Sequence, residues 1–182
     1  MNKRKLYVFN PEHDLALANG DENFEAPRSA RVFGKDVACL PLWYAEKNSV
    51  ILTHLLNEKW LHDMQTIFPQ LANVSLESQP DFSAIDEVHP WGFNPTLCKF
   101  LFMQGVDSQS LPNKKQLADI RRLSHRKTAI EALQFLHDDN ALTPFLPSLP
   151  KQLSVDEVGS FASQYEEVVC KAPWSGSGKG LC

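Results

Sequence analysis

An α/β fold is expected for this chain, on three observations. Residues 5–9 (Lys-Leu-Tyr-Val-Phe) are a short, mostly apolar run that Asn10-Pro11 breaks, as the first strand of a doubly wound domain ends in a polar loop. Short apolar or alternating runs recur at 50–53, 73–78 and 84–89. Segments with apolar residues at helical spacing separate and follow them.

The elements read as follows. Residues 50–53 (Val-Ile-Leu-Thr) predict a second strand. Leu56, Trp60, Met64, Ile67 and Phe68 then predict a helix, stopped by Pro69. Residues 73–78 alternate as a strand, and 84–89 form another that ends at His89-Pro90-Trp91-Gly92. Asn94-Pro95 is a cap followed by proline at the first helical position, and Gly105 closes that helix. Its buried face is expected to be Leu97, Phe100, Leu101 and Gln104. Residues 106–113 read as a polar connector, which places a domain boundary near residue 110, with units 1–110 and 111–182. Helices are expected over 114–124 and 126–137, then an extended proline-spaced stretch, "TPFLPSLP". Ser154 and Glu157 form a capping box for a helix carrying Val158, Phe161, Ala162 and Tyr165. Residues 168–171 read as a buried strand.

Bulk properties narrow the classes. The chain has 182 residues, is 43% hydrophobic and carries a formal net charge of -4, enough to bury a core and unlike a general nucleic-acid surface. No apolar run reaches membrane-spanning length, so no membrane partner is expected. "MNKRKLYVFN" lacks the apolar stretch and cleavage site of a signal peptide. Cys39, Cys98, Cys170 and Cys182 are scattered with no C-x-x-C pair, which reads as reduced thiols in a cytoplasmic protein rather than zinc ligands.

The segment with the strongest chemical signal is "VVCKAPWSGSGKGL". An apolar run ends in Lys171, and Gly176, Gly178 and Gly180 follow with Ser175, Ser177 and Lys179 between and beside them. Glycines let backbone amides approach a ligand closely, and two lysines bracket the loop, a combination suited to polyphosphate. A G-x-x-x-x-G-K-[ST] phosphate loop is excluded, because Pro173 and Gly180 stand where glycine and Ser/Thr are required.

This segment resembles the ATP-grasp superfamily, in which a strand ends in a basic residue that contacts ATP and a glycine-rich loop folds over the phosphates. "LSHRKTAIEALQFL" with Thr143-Pro144 resembles the family's earlier helix, whose start carries another basic residue. Arg126 matches that position, with Lys127 beside it. "SVDEVGSFASQYEEVVCK" resembles the next helix and strand. The resemblance covers about residues 114–182. It implies a Rossmann-like pre-ATP-grasp domain with a partly parallel sheet, followed by the first part of an ATP-grasp α+β domain cut inside its nucleotide site. It also implies ATP held by Arg126, Lys171, Ser175, Gly176, Ser177, Gly178, Lys179 and Gly180. Magnesium is implied too, its acidic ligands expected beyond Cys182. The implied parent activity is activation of a small carboxylate as an acylphosphate and its capture by an amine or similar nucleophile. The fragment alone is expected to be inactive, and a homodimer is compatible with this reading.

A second polar stretch, "FNPEHDLALANGDENFEAPRSAR", follows the first strand. Glu12, His13, Asp14, Asn23, Arg28 and Arg31 would lie at the ligand edge of the sheet. Arg28 or Arg31 suits a carboxylate substrate, and His13 between two acids is expected to have a raised pKa and to move protons. A capping turn before a helix is the alternative. His89, Trp91 and Asn94 form a third candidate group, with Trp91 as a pocket wall and Asn94 as a helix cap. His54, His62, His125 and His137 fall in no constellation. For the whole protein two alternatives stay open: a non-catalytic binding module on a degenerate scaffold, and an ATP-dependent kinase on the same scaffold.

Overall fold

The computed structural model describes residues 3–174. The chain divides into two compact units, Met1–Ala118 and Asp119–Cys182. The loop positions Ser175, Gly176, Ser177, Gly178, Lys179 and Gly180 lie outside the described residues.

The first unit is built on four parallel strands, β1 (Lys5–Val8), β2 (Ser49–Leu52), β3 (Ser75–Glu77) and β4 (Glu87–Pro90), in the order β3-β2-β1-β4. The sheet is therefore parallel throughout, where a partly parallel one was expected. Each described connection returns the chain to the same end of the sheet, so every pair, including Leu6↔Val50 and Tyr7↔His89, runs in one direction.

Alternation along the strands sends side chains to two cores. Leu6, Val8, Val50 and Val88 pack on one face with Leu97, Leu101 and Val106. Tyr7 and Ile51 pack on the other with Leu42, Leu71 and Val74. Burial on both faces is what parallel sheets require.

The first face is covered by α4 (Pro95–Gln104). The Asn94 side chain accepts from the Leu97 N–H, Pro95 starts the helix, and Gly105 ends it at φ 108. Its buried residues are Leu97, Cys98 and Leu101, whereas Phe100 is 43% exposed, so the buried stripe is rotated from the expected one. The second face is covered by α3 (Glu58–Ile67), capped by Asn57, through Trp60, Leu61 and Met64. Two helices precede β2: α1 (His13–Asn19), ended by Gly20 at φ 78, and α2 (Arg28–Asp36), which the sequence reading did not anticipate.

Helix α5 (Lys114–Ser124) spans the division between the units. In the second unit lie α6 (Arg126–His137) and α7 (Val155–Ala162), whose capping box of Ser154 and Glu157 forms as expected. The strand expected at 168–171 does not form: among the described residues no ladder accompanies it, and Lys171 alone makes an isolated bridge. An apolar run becomes a strand only where a neighbour offers hydrogen bonds.

Candidate functional site

In the strand order β3-β2-β1-β4 the chain moves outward from β1 in one direction and then places β4 on the other side of β1. A crevice at the carboxyl ends of such a reversal is where open α/β sheets bind ligands. Here it lies between the loops after β1 and β4. Buried Asn10 ties those loops together: its Nδ2 donates to the Gly92 carbonyl at 2.8 Å, and its Oδ1 accepts from the Gly92 N–H at 3.3 Å.

His13 sits on this joint. Its ring lies against Gly92 so closely that a Cβ there would overlap it. Asn94 Nδ2 stands 3.4 Å from His13 Nδ1, a donor facing a ring nitrogen. Burial lowers the His13 pKa from 6.5, and the opposing pull of Asp14 is the smaller effect. This corrects the expectation of a raised pKa: the pull of Asp14 and of the Gly92 backbone is outweighed by the loss of water around the ring. The same burial that lowers its pKa sets the His13 ring at the joint between the two loops.

Beside the joint opens a cleft of about 300 Å³. Phe9 and Phe24 line it with Ala16, Ala26 and Gly34, and its polar groups are Glu12, Glu25, Arg31 and Thr96. The loop that forms one side is held to α4, where the Thr96 hydroxyl donates to the Asp21 carbonyl at 3.1 Å and Lys99 donates to Asn23 at 2.5 Å. Of the residues expected here, Glu12 and Arg31 line the cleft, and Arg28 does not. Arg31 is already ion-paired with Glu25. Glu12 is half-buried, and among the described residues no other side chain pairs with it. Burial pushes its pKa above 4.5 against the pull of its own backbone amide. Trp91 is 58% exposed and stands against Phe9, outside the cleft lining.

The second unit holds the other group of expected residues. His125 precedes α6 and caps it, its Nδ1 accepting from the Lys127 N–H at 2.9 Å. Arg126, the first residue of α6, donates from its backbone N–H to Pro173 O at 3.0 Å and from Nε to Ala172 O at 2.8 Å. Trp174 closes the contact: its Nε1 donates to Arg121 O at 3.2 Å, Arg121 lies 5.0 Å above its ring, and the His125 ring meets it edge-on. Arg126 is thus brought beside the residue following Lys171, while Lys171 itself is exposed. Lys127 points elsewhere, toward Glu131 at 3.7 Å.

Sequence reasoning missed His125 and Trp174 as partners. A histidine two residues before a helical amide was the available signal, since a ring nitrogen can replace the usual capping oxygen. Among the described residues no group of three or more His, Cys, Asp and Glu is arranged to hold a metal ion, and no helix is long and apolar enough to cross a membrane. Comparison with protein-family models, curated proteins and solved structures gives no match to this chain.

Proposed function

We propose that the chain is the nucleotide-binding portion of an ATP-grasp-like carboxylate–amine ligase, with the first unit's cleft taking one of the two small organic substrates. The observation that supports this reading best is the Arg126–Ala172 hydrogen bond. It places a guanidinium at the root of the segment that leads from Lys171 toward the glycines.

The residues present fit the phosphate end of ATP in chemical character. Arg126 and Lys171 supply cationic donors, a delocalised fork and a compact ammonium. ATP, when bound, supplies the phosphoryl group that converts a carboxylate into an acylphosphate. Lys171 and Arg126 would offset charge that builds up on phosphate oxygens, and the segment fixed by Trp174 would orient Lys171. No described residue is assigned to magnesium.

Calorimetry of ATP with magnesium on the folded chain tests this. Binding is expected, and Lys171→Ala should weaken it by about 1.5–3 kcal/mol, the worth of a charge-assisted hydrogen bond. A folded chain that binds no ATP overturns the reading and leaves a binding module.

A further inference from the structure

We propose that the cleft at the carboxyl end of β1 binds a small primary amine with an apolar body, its ammonium group on the Glu12 carboxylate and its body between Phe9 and Phe24. As a ligand site this stands on the cleft alone; as the nucleophile of a ligation it rests on the reading in the preceding subsection.

The charges decide the class of ligand. Three charged side chains line the cleft, Glu12, Glu25 and Arg31, and Arg31 pairs with Glu25. What remains is one negative charge, on Glu12. A carboxylate ligand would have to displace Glu25 from Arg31 and accept the repulsion of Glu12 as well. An ammonium group needs no displacement.

Glu12 has its own reason to take a cation. It is half-buried, no other side chain pairs with it among the described residues, and its carboxyl is held above the usual range by loss of water. A bound ammonium restores the missing partner. The walls favour the same ligand, since Phe9 and Phe24 supply aromatic surface that can attract a cation and bury an apolar body. A bare metal ion fits less well, because among the described residues no group of three or more His, Cys, Asp and Glu gathers there. The cleft volume, about 300 Å³, stands at the small end of ligand pockets.

The test uses the full 182-residue chain and two probes of similar shape and opposite charge, phenethylammonium and 3-phenylpropionate, titrated by calorimetry at neutral pH. Phenethylammonium should saturate and 3-phenylpropionate should not. Glu12→Gln should weaken the amine at least about tenfold, as expected for loss of a charge-assisted contact, with thermal unfolding intact. Gly34→Leu, which fills the cleft without changing its charge, should also lose the amine. Tighter binding of 3-phenylpropionate, an unchanged amine affinity in Glu12→Gln, or no binding of either probe at millimolar concentration overturns the proposal. ATP binding on the same sample separates the two readings. Amine binding without ATP binding removes the ligase and keeps this site; ATP binding without amine binding removes this site alone.

Discussion

Arg126 donates its Nε–H to the carbonyl oxygen of Ala172 at 2.8 Å, joining positions 46 apart in the chain. The same residue's backbone N–H donates to Pro173 O. Arg126→Ala removes the first bond and leaves the second. The remaining bond and the Trp174 contacts should keep the segment docked, so the variant should fold. ATP affinity should fall by about 1.5–3 kcal/mol if the guanidinium also serves the nucleotide. Calorimetry decides between roles: unchanged ATP affinity with faster proteolysis near residue 172 would mean that Arg126 only anchors the chain.

The contact of His13 with Gly92 makes a second, purely structural prediction. Gly92→Ala puts a methyl group where the His13 ring lies, so the ring must turn away and lose Asn94. Overpacking of this kind costs about 1–3 kcal/mol. In a His13→Ala background the clash has no partner, and Gly92→Ala should cost much less. Urea unfolding of the four proteins in the cycle measures this, and equal costs in both backgrounds would show that the ring is not what crowds Gly92.

Two half-buried groups at this end of the sheet should give opposite pH dependences. The unfolded chain protonates His13 near 6.5, and the folded protein only at lower pH. Between those values the unfolded state binds more protons, so the His13 contribution makes stability rise with pH and fall on acidification. Glu12 has its folded pKa above 4.5, so between 4.5 and that value the folded state binds more protons. Its contribution therefore makes stability fall as pH rises through that window. Urea midpoints measured across both windows should show a shallower rise in His13→Gln than in the wild-type protein. Glu12→Gln should gain stability toward neutral pH. A His13→Gln profile parallel to wild type would show that the ring protonates equally in both states.

What the sequence revealed follows from how local each signal was. Helix α4 could be bounded because Asn94, Pro95 and Gly105 each act on their own backbone. The first strand could be placed because both faces of the sheet are buried, so Leu6, Tyr7 and Val8 form an unbroken apolar run. The state of His13 could not be read, because the sequence shows only the neighbouring acids, while the burial comes from Gly92 and Asn94 on another loop. Arg31 looked available for a carboxylate because its partner Glu25 meets it only through the turn into α2. The apolar run at 168–171 looked like a strand because composition reports a preference for pairing, whereas among the described residues only Lys171 makes a bridge.

The cysteines supply a test of the core that does not depend on function. Cys98 lies in α4 at 8% exposure, and burial pushes its pKa from 9.0 up to about 11. At mildly alkaline pH its thiolate fraction is then about a hundred times smaller than that of a thiol with the ordinary value. Cys39 is only partly buried, its Sγ 3.6 Å from the Thr53 hydroxyl. Iodoacetamide followed by peptide mass analysis should therefore modify Cys39 well before Cys98 in the native protein. In urea the two should react at similar rates. Because α4 closes one face of the sheet, early labelling of Cys98 without denaturant would mean that this face opens in solution and that the crevice at its end is not held as described.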